Sequence, residues 1–157
     1  MDNIQNIYDL LNWRNNKEKR SEGIRLAKNI KDLSLLITPP APPSVWECCA
    51  DILFEKTDSE LEPYLLGLLE WLQDLNWPGA QTILDRLLLL NGGLLYVPFL
   101  QCFHNAHEQM GDEGLRWLDY LSELLDNKLL KSHLPDDVLR ILSKHYKNWG
   151  FWCQDAE

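Results

Sequence analysis

The stretch LLEWLQDLNWPGA, residues 68–80, decides the fold of this chain. Its first half continues a leucine stripe at helical spacing, which is typical of a helix that buries one face. The stripe consists of Leu66, Leu69 and Leu72. Pro78 lacks an amide hydrogen and suits the first position of a new helix, where that donor would be unpaired. The stretch therefore predicts a helical hairpin with an aromatic turn, whose second helix runs from about Pro78 to Leu90.

The composition predicts an all-α fold. Hydrophobic residues make up 45% of the 157 residues, which is enough for a substantial core. Leucine dominates this set, whereas valine occurs only at positions 45, 97 and 138. Leucine loses little side-chain freedom in a helix, and β-branched residues prefer strands. We therefore expect one all-helical domain that spans residues 1–157.

Helix boundaries along the chain predict a series of paired helices. Two residue pairs have the spacing of a capping box, which marks a helix start: Ser44 with Glu47, and Thr57 with Glu60. Gly92-Gly93 readily adopts the left-handed conformation that ends a helix, and the next helix is expected from about Leu94 to Met110. The pairs recur at roughly 30–40 residues, the period of tandem helical repeats. A stack of hairpins is favoured, with a closed helical bundle as the alternative.

The formal net charge of −9 is concentrated in the middle of the sequence. Residues 32–85 carry one lysine against ten acidic residues, and residues 86–126 carry two basic against six acidic residues. An acidic surface repels nucleic-acid phosphates, so a nucleic-acid partner is not expected. The acidic middle suits either a basic protein partner or general solubility.

The cysteines and the N-terminal residues indicate a reducing compartment. Cysteines 48, 49, 102 and 153 show no CxxC spacing, which favours free, buried thiols over a zinc site or a disulfide framework. The first residues lack the pattern of a signal peptide, and the apolar run at residues 87–90 is too short to span a bilayer. We therefore predict a cytoplasmic protein with no membrane partner and no cofactor.

One cluster of potential metal ligands stands out. It comprises His104, His107 and Glu108, with Cys102 nearby. On a helix, residues three or four apart share a face, but a zinc site needs at least three fixed ligands, and no HExxH motif completes this one. A solvated helix face is favoured, and a small metal-dependent helical enzyme or regulator is the alternative.

The seven tryptophans divide by position. Trp46, Trp71 and Trp117 fall within predicted helices and are expected to pack in the core. The others fall at helix ends and turns, where tryptophan either packs repeats together or contacts a partner. These are Trp13, Trp77, Trp149 and Trp152. The aromatic tail at residues 148–152 is expected to dock on the body of the protein.

The run LLEWLQDLNWP at residues 68–78 resembles the signature of small bacterial proteins of unknown function with HEAT-like helical repeats. Residues 22–30, EGIRLAKNI, are also similar to a HEAT-type helix of such proteins. The resemblance implies a HEAT/ARM-like α-α superhelix, a right-handed solenoid of helical hairpins. It transfers no catalytic residue. Proteins of this type look like members of bacterial toxin–immunity neighbourhoods, which implies a binding role.

These observations predict a non-catalytic protein-binding module, specifically an immunity protein that neutralises a cognate bacterial toxin by direct binding. Acidic residues would steer a basic toxin domain, since complementary charge mainly raises the association rate, and an exposed tryptophan would anchor it. The predicted contact residues are Glu60, Glu62, Glu70, Asp74, Trp77 and Asp85. An orphan helical-repeat adaptor or scaffold is the alternative within the same class.

Overall fold

Helices account for all the regular secondary structure in the part of the chain that the computed structural model describes, residues 4–109 and 111–153. The α-helices are α1 (Ile4–Leu11), α2 (Lys17–Ala27), α3 (Pro43–Phe54), α4 (Asp58–Leu61), α5 (Leu65–Glu70), α6 (Ala80–Leu89), α7 (Gly92–Glu108), α8 (Asp112–Leu121), α9 (Lys128–His133) and α10 (Asp136–His145). Short 3-10 helices cover Leu33–Leu36, Glu62–Tyr64, Trp71–Gln73, Ser122–Asp126 and Phe151–Cys153. The all-α prediction is confirmed. No described helix combines the length and apolar composition needed to cross a membrane.

Helices that are near in sequence pack against one another. α1 lies against α2 and α3, and α3 lies against α6. α7 packs against α5, α8 and α9, and α8 also contacts α10. One continuous core runs from Ile7 in α1 to Leu142 in α10, with Trp71, Phe99 and Phe103 among its largest fully buried side chains. The leucine-rich faces that the periodicity predicts therefore meet in a shared interior.

The two predicted capping boxes have different outcomes. Thr57 and Glu60 form the box as predicted, with the side chain of each bonded to the backbone amide of the other. Ser44 does not cap α3, because that helix already begins at Pro43 and Ser44 is buried inside its first turn. Glu47 instead reaches across to α6: its carboxylate accepts a hydrogen bond of 2.7 Å from the Gly79 amide. The local pattern at residues 44–47 was thus overridden by a tertiary contact.

Two further helix boundaries differ from the sequence pattern. α6 begins at Ala80 and not at Pro78, because Gly79 has a φ of 83°, in the left-handed region that a helix excludes. Gly92-Gly93 does not end a helix; both glycines open α7, where the Asn91 side chain caps the Gly93 amide at 2.8 Å. α7 is described to Glu108, while the predicted end at Met110 lies outside the described residues.

The helix that the leucine stripe predicts before the Trp77 turn is divided into three parts. Pro63 falls in the 3-10 helix Glu62–Tyr64, α5 follows, and the 3-10 helix Trp71–Gln73 closes the segment. Proline cannot donate the hydrogen bond that a continuous α-helix requires at that position. The segment ends at Asp74, whose backbone is extended.

The four cysteines are free thiols, as predicted. Cys49 and Cys102 are fully buried, and burial raises the pKa of Cys49 to about 12, with Cys48 adding to the shift. Cys48 is half-buried and Cys153 is exposed, so the prediction of buried thiols fails for the last of them. Cys153 directly follows Trp152, which docks on the body of the protein through its indole.

The Asp58 carboxylate joins the start of α4 to α6 and α7. It accepts a hydrogen bond of 2.7 Å from the largely buried Arg86 guanidinium and one of 3.1 Å from the Asn91 amide. Partial burial raises the pKa of Asp58, but the hydrogen bonds from Arg86 and Asn91 outweigh it and hold the pKa below its ordinary value of 3.8. The charged carboxylate therefore stabilises the fold above the ordinary pKa, and this contribution is lost as the pH falls through the folded value.

Asp58→Asn is expected to lower the free energy of unfolding at pH 7 by about 1 kcal/mol, because it removes the negative charge from the hydrogen bonds with Arg86 and Asn91. Solvent screening at the partly exposed carboxylate keeps the loss this small. The difference from the unsubstituted protein should be constant above about pH 5 and shrink as the pH falls below 3.8. Urea unfolding at pH 7, 5 and 3 measures it. Asp85→Asn, on the exposed side of α6, is the control, and a difference independent of pH would contradict the prediction.

Candidate functional site

The turn before α6 presents Trp77 on the surface. The side chain of Asp74 accepts a hydrogen bond of 2.9 Å from the Asn76 amide, and its backbone carbonyl accepts one of 3.1 Å from the Trp77 amide. These bonds fold residues 74–77 into a tight turn. Pro78 and Gly79 then connect the turn to α6. The indole of Trp77 is 36% exposed, although its position in the turn is fixed by the backbone.

Two further tryptophans support Trp77 from behind. Trp46 packs edge-to-face against Trp77, with ring centroids 5.8 Å apart, and against Trp71 at 5.9 Å. Trp71 is fully buried and donates its indole N–H to the Pro78 carbonyl at 3.1 Å. Edge-to-face pairs are favourable aromatic geometries, so the three rings form a rigid wall. A Cβ on Gly79 would meet the Ala50 side chain at 2.8 Å, and the turn can approach α3 so closely because it has glycine there.

A groove with a volume of about 650 Å³ opens in front of this wall. We call it the Trp77 groove. Its lining residues are Ser34, Ile37, Thr38, Trp46, Pro63, Tyr64, Gly67, Glu70, Gln73 and Trp77. Thr38 has a φ of 35°, which a β-branched residue rarely adopts. Such strained residues cluster at functional sites, where the surrounding structure must hold them in place.

Trp77 also borders a second, smaller groove of about 210 Å³. That groove is lined by Gln73, Asp74, Trp77, Glu113 and Arg116. Tyr120 is close enough to this groove to interact with the charges of Asp74 and Arg116. Burial raises the pKa of the Tyr120 hydroxyl. The negative charges of Asp74 and Asp119 raise this pKa further, and the positive charge of Arg116 lowers it. Trp77 is therefore a ridge between two grooves that each contain an acidic side chain.

The structure brings together three of the six predicted contact residues. Glu70 lines the Trp77 groove, Asp74 lines the smaller groove, and Trp77 lies between them. All three come from one segment of eight residues, so their proximity follows from the sequence.

The other three predicted contact residues lie elsewhere. Glu60 is occupied in the capping box, and hydrogen bonds from Thr57 hold the pKa of its carboxyl below the ordinary value. Glu62 opens onto a neighbouring apolar groove that includes Val97. Asp85 accepts a hydrogen bond from Gln81 on the outer side of α6 at 3.0 Å. Charge alone selected these residues, and charge does not fix which way a helix faces.

Sequence reasoning missed several residues of the two grooves. Trp46, Tyr64, Gln73 and Glu113 belong to them, yet Trp46 was assigned to the core. The indole N–H of Trp46 is shared between the Pro39 and Ala41 carbonyls at 3.1 and 3.3 Å. The proline-rich segment before α3 could have indicated this position of Trp46. Its backbone carbonyls lack helical partners, and a nearby tryptophan N–H can donate hydrogen bonds to them.

The side chains that the sequence offers as potential metal ligands do not converge. His104, His107 and Glu108 are exposed on α7, whereas Cys102 is fully buried on the other side of that helix. Burial strongly raises the pKa of the Cys102 thiol, with the charge of Glu70 as a smaller cause, and a thiol must lose its proton to bind a metal. Residues 4–109 and 111–153 contain no group of three or more His, Cys, Asp and Glu side chains that could hold a metal ion.

A buried hydrogen-bonded pair of an aspartate and a histidine anchors the C-terminal tail at a separate place. Asp119 and His145 are both almost fully buried, with Oδ1 of Asp119 2.6 Å from Nδ1 of His145. The second carboxylate oxygen of Asp119 accepts hydrogen bonds from the Gly150 amide at 2.9 Å and the Trp152 indole at 3.1 Å. The predicted docking of the tail is confirmed. Because the Asp119 carboxylate and the His145 ring belong to this anchor, we assign them a structural role.

Comparison with known protein families finds a match over part of the chain. Residues 47–95 match the model of a family described as Domain of unknown function (DUF5071). The matched range begins at Glu47, contains Glu70 and the Trp77 turn, and ends at the start of α7. Neither the curated proteins nor the solved structures contain a match to the chain.

Proposed function

We propose that this protein is a non-catalytic binding module that holds a basic protein partner against Trp77, and that it acts as an immunity protein. In this role it neutralises a cognate bacterial toxin in the cytoplasm by covering the toxin's active surface. One observation carries the proposal: an exposed tryptophan, fixed from behind by two other tryptophans, separates two grooves that contain Glu70 and Asp74. Rigid aromatic anchors of this kind dominate the energy of protein interfaces.

The charge distribution supports a basic partner. Residues 32–85, which supply most of the Trp77 groove, carry ten acidic residues and a single lysine. That lysine, Lys56, lies in a different groove together with Lys28 and Lys31. Complementary charge mainly accelerates association and excludes wrong partners, while the aromatic anchor limits dissociation.

We further propose that the helices form a HEAT/ARM-like superhelix, as the sequence resemblance implies. The packing of α1 on α2, of α7 on α8 and of α8 on α10 supports this arrangement, because stacked repeats contact chiefly their neighbours in sequence. A stack of this kind offers grooves between helices for binding proteins. The adaptor or scaffold alternative uses the same groove with a partner that is not toxic.

Co-expression tests the immunity proposal. Each protein encoded beside this chain is expressed alone and together with it, and growth and complex formation are measured. We expect one neighbour to arrest growth alone, and to form a stoichiometric complex that restores growth when both are present. A neighbour that binds without being toxic favours the adaptor alternative, and if no neighbour binds or is neutralised the immunity proposal fails.

Trp77→Ala is expected to weaken binding of the partner by about 2 kcal/mol, roughly 30-fold in Kd, because the substitution removes the central anchor of the surface. Isothermal titration calorimetry against the purified partner measures the change. Trp13→Ala is a matched control, since Trp13 is another exposed tryptophan, 48% accessible, outside both grooves. Equal effects of the two substitutions would place the interface away from Trp77.

A further inference from the structure

Three side-chain donors that line the Trp77 groove are engaged within the protein. The Trp46 indole N–H is used by the Pro39 and Ala41 carbonyls. The Ser34 hydroxyl donates to Asp32 at 2.6 Å, and the Gln73 amide donates to the Glu70 backbone carbonyl at 3.0 Å. The Thr38 and Tyr64 hydroxyls also line the groove, and a hydroxyl can accept a hydrogen bond as well as donate one.

The same bonds leave acceptors for a ligand. Because the Gln73 amide nitrogen is bound to the backbone, the carbonyl oxygen of that amide lies at the opposite end of the group. The Glu70 carboxylate is exposed and forms no ion pair with any cation in the described part of the chain. Arg116 lies in the smaller groove beyond Trp77, together with the opposite charges of Asp74 and Glu113. A ligand in the Trp77 groove therefore meets acceptors and negative charge.

Aromatic side chains line the same groove. Trp46, Tyr64 and the exposed indole of Trp77 all line it. Aromatic faces attract cations, and they attract the planar, weakly hydrated guanidinium group of arginine more than a compact ammonium. Arginine also carries five N–H donors in a fixed plane, enough to reach a carboxylate and an amide oxygen together.

We propose that the Trp77 groove is an arginine pocket. An arginine side chain of the partner stacks on Trp77 and donates hydrogen bonds to the Glu70 carboxylate and the Gln73 side-chain oxygen. This inference rests on the proposed function, because it names the chemical group by which the basic partner is anchored. It predicts a preference that charge alone does not give: arginine binds more tightly than lysine, although both carry one positive charge.

Three capped tripeptides test the pocket with the full chain: Gly-Arg-Gly, Gly-Lys-Gly and Gly-citrulline-Gly. Citrulline has nearly the shape of arginine without its charge. Nuclear magnetic resonance titration follows the Gly67 backbone amide and the Trp77 indole N–H. We expect the arginine peptide to shift both signals and to bind at least threefold more tightly than the lysine peptide, with no saturable shift for the citrulline peptide. Lysine binding as tightly as arginine, or shifts outside the groove, would overturn the inference.

Glu70→Gln provides the matched variant, with Glu108→Gln as a control that removes the same charge from an exposed site on α7. We expect Glu70→Gln to weaken binding of the arginine peptide at least fivefold and Glu108→Gln to leave it unchanged. If the two variants have equal effects, general electrostatic attraction explains the binding, and the inference of an arginine pocket is wrong.

The two proposals fail in different ways. If the peptides show no arginine preference while Trp77→Ala still weakens binding of the protein partner, the arginine pocket is wrong and the proposed function stands. If the arginine peptide binds in the groove but no encoded neighbour forms a complex, the pocket stands and the proposed immunity function fails.

Discussion

Gly92→Ala is expected to lower the free energy of unfolding by about 3 kcal/mol, at the upper end of what overpacking usually costs. A Cβ at this position would lie 2.2 Å from the Leu130 amide nitrogen, and 2.8 Å from both the Asn127 side-chain oxygen and the Leu129 carbonyl carbon. Two of these atoms belong to the backbone at the start of α9, so no rotation of a side chain relieves the clash. α7 and α9 would have to move apart.

Helix propensity alone predicts the opposite sign. Gly92 is in an α-helix, where replacing glycine by alanine normally stabilises by up to about 1 kcal/mol. Urea unfolding followed by circular dichroism at 222 nm therefore separates the two effects. Gly93→Ala is the control, because its Cβ would meet only the Asn91 side-chain oxygen, at 3.1 Å, and we expect a change within about 1 kcal/mol. A Gly92→Ala protein as stable as the parent would show that α9 does not pack on this residue.

Asp119→Ala is expected to lower the free energy of unfolding by about 3 kcal/mol, because each buried polar group left without its hydrogen-bond partner costs about 1–3 kcal/mol. The substitution leaves the His145 ring buried without its carboxylate, and it removes the acceptor shared by the Gly150 amide and the Trp152 indole. The bond to His145 is fully buried and the other two are partly buried, so water replaces the lost acceptor only in part.

Two measurements check this expectation. Guanidinium unfolding gives the loss of stability, and hydrogen exchange at the Gly150 amide reports release of the tail under native conditions. Lys147→Ala is the control: its ion pair with Glu123, at 2.9 Å, holds the same tail from the exposed side, and exposed pairs contribute little. Unchanged exchange at Gly150 in Asp119→Ala would show that the tail is held by its aromatic contacts alone.

The sequence predicted the helices better than their ends, and the reason is physical. Leucine periodicity depends on burial of one face, so the buried Leu69 and Leu72 follow from the pattern. The Thr57–Glu60 box is also local, because both partners lie within one turn. The behaviour of Glu47 and Gly92 depends on residues more than thirty positions away, Gly79 for the first and Leu130 for the second. A local pattern contains no information about such contacts.

The residues of the candidate site also divide into those that the local sequence predicts and those that depend on distant contacts. Glu70, Asp74 and Trp77 were found together because one segment of eight residues carries them. Trp46 and Tyr64 reach the groove from separate elements, and only the packing of α3 against the turn brings Trp46 there. The Asp119–His145 pair spans 26 positions, and neither residue belongs to a recognisable motif.

The hydrogen bond from the Gly79 amide to the Glu47 carboxylate fixes the Trp77 turn to α3 before any partner binds. Together with the edge-to-face indoles, it means that the Trp77 ridge is preassembled during folding and is not shaped by contact. Surface loops usually lose conformational freedom when they dock, and this loss weakens the complex. Here most of that ordering is complete beforehand, so recognition should resemble the meeting of two rigid bodies, with any adjustment made by the incoming molecule.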